Sequence, residues 1–112
     1  MKHEIASCLA DIKQAINEIN SFLPEKKNFF EFQQDIKTKR AIERNIEIIG
    51  EAVHRILKTD PNFPITNARR IVDTRNRISH GYDSVTDAIL WSIIVKEIPS
   101  LDKEISTLLN NL

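Results

Sequence analysis

Apolar positions recur along most of this chain with the period of a helix. Ile5, Leu9, Ile12, Ile16, Ile19 and Leu23 follow one another at steps of four and three. That spacing puts them on one face of a 3.6-residue turn, with Asp11, Lys13, Gln14, Asn17 and Glu18 mostly off it. Pro24 marks the end of this first helix. Phe29, Phe30 and Phe32 form an aromatic knot, read as a cap over the core on a short helix. Nothing basic interleaves them closely, which disfavours a base-stacking platform. A second long helix is expected from about Thr38 to Leu57, with the stripe Ile42, Ile46, Ile49, Val53 and Ile56. On its flank the like pairs Arg40–Arg44 and Glu47–Glu51 are offset by cross pairing such as Arg40 with Glu43. Gly50 costs up to about 1 kcal/mol relative to Ala inside a helix, which a close helix crossing would explain.

Asp60 to Ile65 holds two prolines and reads as a connector. Thr66 can cap a third helix, whose apolar side is Ala68, Ile71, Val72 and Ile78. Gly81 can end it through a positive φ angle. Ser84 can cap a fourth helix, with Asp87 three residues on as a capping-box relative. Ala88 to Val95 is apolar except for Ser92. Such a run belongs in the middle of a bundle or partly against a second subunit, with Trp91 as the anchor in either case. Pro99 is expected to bend or break the chain. Ser100 then caps a last helix carrying Leu101, Ile105, Leu108, Leu109 and Leu112. The expectation is an all-α, homodimeric bundle of four to five helices, forming one domain over residues 1–112.

Composition narrows this picture. Two glycines and four prolines in 112 residues are too few turns for a β-sandwich or barrel. The single cysteine, Cys8, excludes an internal disulfide and a four-thiolate zinc site, and reads as a buried small hydrophobe. No apolar stretch approaches the length of a membrane span, and charges interrupt the first twenty residues, so the cytoplasm is the expected location. Net charge is zero, yet residues 69–82 hold Arg69, Arg70, Arg75 and Arg77 against Asp73 alone. A local phosphate site is therefore open to a protein that, taken whole, would steer nucleic acid weakly.

The chain has no glycine-rich phosphate loop, and His3, His54 and His80 lack metal-ligand spacing, so neither a metal nor a cofactor is expected. His54 reads as structural or solvent-exposed. The chemistry concentrates in Arg75-Asn76-Arg77-Ile78-Ser79-His80-Gly81-Tyr82. Histidine titrates near neutral pH and moves a proton either way. Arginine grips a phosphate with a planar fork and stabilises charge growing on its oxygens. Together they could cleave RNA without metal, leaving a cyclic phosphate and a 5′-hydroxyl. One histidine cannot comfortably be base and acid at once; two copies across a two-fold axis would be both. Arg75 and His80 are five apart, about 140° around a regular helix. They converge if the helix ends near His80, if Arg75 reaches round, or if a second subunit completes the site. The plainer reading has His80 and Tyr82 sealing a helix end and Arg75 pairing with an acid.

Arg75, four residues, His80, one residue and Tyr82 resembles the Arg-X4-His-X-Tyr motif of the HepT-like branch of the HEPN superfamily. Asn76 matches the polar residue that usually follows the motif arginine. Ile48-Ile49-Gly50-Glu51-Ala52 is similar to the family's Ile-Gly-Glu-Ala signature, and the surroundings of Trp91, with Pro99 before Leu101, fit as well. The resemblance covers nearly the whole chain. It implies a small helical protein that dimerises around a shared cleft and acts as the metal-independent ribonuclease toxin of a toxin–antitoxin pair. It implies Arg75 and His80 as the catalytic pair, Asn76 in support, and Tyr82 as the acceptor of AMP from an MntA-like nucleotidyltransferase antitoxin that silences it. Arg77 would steer RNA or face solvent, and Glu51 would help orient the cleft without a chemical step. The alternative is a non-catalytic helical dimerisation module that docks the nucleotidyltransferase; such a module would not need His80.

Overall fold

The computed structural model describes residues 2–65, 70–74, 76 and 86–111. Among them every regular element is a helix. α1 (Lys2–Phe22) buries Ile5, Cys8, Leu9, Ile12, Ala15, Ile16 and Ile19, the face expected from their spacing. Complete burial of an isoleucine contributes about 1.5–3 kcal/mol, and four of α1's apolar side chains have no exposed surface at all. Ser21 Oγ donates to the Glu18 carbonyl in the last turn, and Pro24 follows.

α2 (Phe29–Gln34) begins at Asn28, whose side chain accepts from the Glu31 N–H at 3.1 Å. Phe32 is buried and Phe29 half-buried, and both rings pack on Trp91, with centroids 5.1 and 5.7 Å away. The aromatic knot is thus a cap over the core, except that Phe30 is 75% exposed.

α3 (Ile36–Thr59) starts two residues before the expected Thr38. Asp35 is the reason. Its N–H donates to the Phe32 carbonyl and closes α2, while its carboxylate accepts from the Thr38 N–H and hydroxyl and opens α3. The Thr38 hydroxyl, then its N–H, hold the Asp35 carboxyl below its ordinary value. Ile42, Ile46, Ile49, Val53 and Ile56 are buried as expected, and so is Gly50. Arg40 pairs with Glu43 at 3.0 Å and Arg44 with Glu47 at 3.1 Å, the cross-flank pairing that offsets the like charges. His54 is exposed. Asp60 ends the helix through its N–H on the Ile56 carbonyl and begins a turn closed by the Phe63 N–H, with Pro61 at the second position.

The second half departs most from expectation. α4 (Asp87–Ser92) is capped by the Thr86 hydroxyl, which accepts from the Ile89 N–H at 3.2 Å, where Ser84 had been expected to cap. Ser84 itself lies outside the described residues. Pro99 does not break the chain, and Ser100 caps nothing. α4 runs through a π-helical turn (Ile93–Glu97) into α5 (Ile98–Asn110), with Ile93 and Ile98 both in right-handed helical geometry. The Ile98 N–H reaches back five residues to the Ile93 carbonyl. That extra residue widens the helix just before the Pro99 ring, where a clash with a preceding carbonyl would otherwise fall. Leu90, Ile93 and Ile94 are buried and Trp91 half-buried, so the apolar run serves this chain's own core, while Ala88 and Val95 face outward.

α1 packs along α3 and against α5, and α2 packs on α3. Among the described residues, one contiguous apolar cluster joins α1 to α5, the π turn and Ile71. Lys13 ties α1 to Asp102 and Ser106 of α5, and Lys39 ties α3 to Asp87 at the start of α4. The radius of gyration of 13.9 Å is near the roughly 13 Å of a folded domain of this length.

Candidate active site

Residues 70–74 and 76 are helical and lead into the sequence that carries the candidate chemistry. Ile71 is buried in the main core, which fixes this segment against α3 and the π turn. Thr74 is also buried and spends its hydroxyl proton on the Arg70 carbonyl at 2.9 Å. Asn76 is half-buried on the same path. Arg75, Arg77, His80 and Tyr82 lie outside the described residues, as do the proposed cap Thr66 and the proposed stop Gly81. Of the five candidate site residues Arg75, Asn76, Arg77, His80 and Tyr82, only Asn76 therefore has a described position.

The segment has one neighbour that sequence reading passed over. Glu97, on the last position of the π turn, is only 9% exposed. Its Oε1 accepts from the Arg70 Nε at 2.8 Å, while the Arg70 side chain stays largely exposed. Its Oε2 is buried and has no hydrogen-bond partner among the described residues. Glu97 and Thr74 line the same cavity, with Ile46, Ile49, Ile71, Ile93 and Ile98 completing its wall. At about 10 Å³ that cavity is at the lower limit for a single water. The available signal was positional: Glu97 sits one residue before Ile98, three after Ile94 and four before Leu101, on the buried stripe of the helix.

Elsewhere the charges are arranged more openly. Glu51 is exposed and lies with Asp11, Arg44, Glu47 and Arg55 along a groove of about 340 Å³ beside α1 and α3. Its neighbours Gly50 and Ala52 are buried, so the Ile-Gly-Glu-Ala stretch serves helix packing on one side and presents a carboxylate on the other. Burial pushes the Cys8 thiol up, opposed by the charge of Arg55; a thiol so placed is an inert core side chain. Among the described residues no three His, Cys, Asp or Glu side chains group closely enough to hold a metal ion. Among those residues, too, no helix is long and apolar enough to cross a membrane.

The family model of the ribonuclease HepT-like proteins matches residues 12–108. The chain belongs to that family. The match takes in the second half of α1, all of α2 and α3, the arginine-rich segment, the π turn and nearly all of α5, which makes this all-helical bundle the HEPN-like fold. Relatives covered over most of their own length accompany it. A Thermococcus cleftensis protein named as a probable ribonuclease HepT is 35% identical over 105 residues, covering 90% of this chain and 92% of its own. A Methanocaldococcus jannaschii protein whose name marks it as a candidate RNase is 29% identical over 112 residues, covering 99% and 92%. A third, from Caldanaerobacter subterraneus and named in the same way, is 35% identical over 83 residues, covering 73% and 74%. No solved structure matches the HepT-like chain significantly.

Proposed function

We propose that this HepT-like protein is a metal-independent endoribonuclease and the toxin of a toxin–antitoxin pair. The observation that carries the reading is the Arg75-X4-His80-X-Tyr82 sequence, lying inside a HepT-like match that spans residues 12–108. His80 takes the proton of a ribose 2′-hydroxyl, and the 2′-oxygen attacks the adjacent phosphorus. Arg75 holds the phosphate as it becomes pentacoordinate and spreads its added charge. The bond to the 5′-oxygen breaks, and a second His80, from the other subunit of a homodimer, donates the proton that oxygen needs. The products are a 2′,3′-cyclic phosphate and a 5′-hydroxyl. Asn76 supports the site and Arg77 adds a cation for the RNA backbone.

Tyr82 is the control point. Its phenolic oxygen, giving up its proton to solvent, attacks the α-phosphorus of ATP held by an MntA-like nucleotidyltransferase, gaining AMP while pyrophosphate leaves. The added phosphate brings negative charge and bulk beside the cleft and competes with RNA for Arg75. His80→Ala is expected to lower cleavage by about 10²–10⁴-fold with the dimer and the antitoxin complex intact by native mass spectrometry. Cleavage that persists in that variant would refute the mechanism, and an inactive wild type with intact dimers and unmodified Tyr82 would favour the docking-module alternative. Tyr82→Phe is expected to keep substantial cleavage and to accept no AMP; continued labelling of the same peptide would move the modification to another residue.

A further inference from the structure

The end of α1, the short helix α2 and the start of α3 form a cleft of about 240 Å³ against Trp91 of α4. Phe22, Leu23, Phe32 and Trp91 give it an apolar wall, and Glu31 and Asp35 are the charged groups that line it. No Lys, Arg or His lines it among the described residues. Asp35 stays ionised at neutral pH, since the Thr38 hydroxyl and N–H hold its carboxyl below the ordinary value. Thr38 takes up one acceptor site on each Asp35 oxygen. A carboxylate offers about four such sites, so two remain open to another donor. Among the described residues neither Glu31 nor Asp35 forms an ion pair, although Asp35 feels the charge of Lys37.

One kind of group satisfies both the aromatic wall and the carboxylates. An arginine side chain has an apolar stem and a flat guanidinium that stacks on aromatic faces and forks onto carboxylates. The size agrees. Sites for whole small molecules usually exceed about 300 Å³, whereas this cleft suits a single long side chain. The surroundings say that the arginine arrives on a protein. Phe22, Phe30, Ile36 and Val95 are the exposed large hydrophobics among the described residues. Three of those four fall on residues 22–36, the stretch from which most of the cleft is built. A free cation would leave them in water; a protein surface seated on the cleft would cover them.

We propose that this cleft docks a partner protein through an arginine side chain of that partner, whose guanidinium stacks on Trp91 and bonds to Glu31 and Asp35 while the surface around it covers Phe22, Phe30 and Ile36. The charge complementarity is between a cationic side chain and a cleft lined by two carboxylates and no base. The docking is independent of the ribonuclease reading.

Trp91 is the single tryptophan of the chain, so its fluorescence and its indole N–H signal report on the cleft directly. The probes are a Leu-Arg-Leu peptide blocked at both ends, the same peptide with lysine or neutral citrulline in the middle, and free L-arginine. The arginine peptide is expected to change Trp91 emission saturably, with a Kd near millimolar, the strength that one side chain and its neighbours can supply. The lysine peptide binds about threefold more weakly or worse, because it lacks the planar fork. The citrulline peptide, which keeps the shape without the charge, gives no saturable change. Glu31→Gln and Asp35→Asn are each expected to weaken the arginine peptide about three- to tenfold. Asn keeps a capping oxygen at the start of α3, and melting curves establish that it folds. Glu31→Gln alters an exposed side chain and decides the matter by itself should Asp35→Asn fail to fold. No saturable response to the arginine peptide, equal responses to arginine and citrulline, or an unchanged Kd in Glu31→Gln would each overturn the proposal. Tighter binding of free L-arginine than of the peptide would overturn it too, since the cleft would then serve a small molecule.

Discussion

Asp35 does two jobs with one side chain and one N–H, closing α2 and opening α3. Its carboxyl is held below its ordinary value by Thr38, so its capping contribution is fully present above the unfolded-state pKa near 3.8 and is lost as pH falls through the lower folded value. Asp35→Ala is therefore expected to lower the melting temperature at pH 7, and the difference from wild type should shrink toward pH 2. Melting curves across that range check it; a difference that stays constant or grows in acid would mean that the charge is not what caps the helix. The pattern Asp35-x-x-Thr38 was available in the sequence, and reading Asp35 as the cap would have moved the expected start from Thr38 to the observed Ile36. Glu97 was harder to see. Its partner Arg70 is 27 positions away, and nothing local pairs them. The sequence Arg75–Tyr82 could be singled out for the opposite reason, since residue types and spacing are local facts, though of its candidate residues only Asn76 has a described position.

The long helices were legible because each stripe repeats its evidence many times; α1 and α3 bury the same isoleucines that the spacing singled out. Breaks were less legible. Whether Pro99 ends a helix depends on whether the turn before it can widen, and packing of Ile93, Ile94 and Glu97 in the core favours that turn. The short helix α2 owes its place to tertiary contact, since six residues are too few to hold a helix in water. Trp91 supplies that contact through Phe29 and Phe32. Trp91→Ala is expected to cost about 3 kcal/mol, the low end for a tryptophan because the ring is only half-buried. Urea denaturation measures it, and a loss below about 1 kcal/mol would mean that α2 is held by something other than that ring pair.

At the scale of the whole molecule, a chain of zero net charge holds one strongly basic stretch in its sequence, residues 69–82, and the described residues 70–74 are fastened to the core by Ile71 and by the Arg70–Glu97 pair. The helical skeleton is the HepT-like one from residue 12 to residue 108. The most direct measurement of the proposed function is digestion of total bacterial RNA by the purified wild-type protein in EDTA, followed by analysis of both ends of every product. The expected result is discrete fragments ending in a 2′,3′-cyclic phosphate and beginning with a 5′-hydroxyl. Intact RNA, or fragments with a 3′-hydroxyl and a 5′-phosphate, would contradict it.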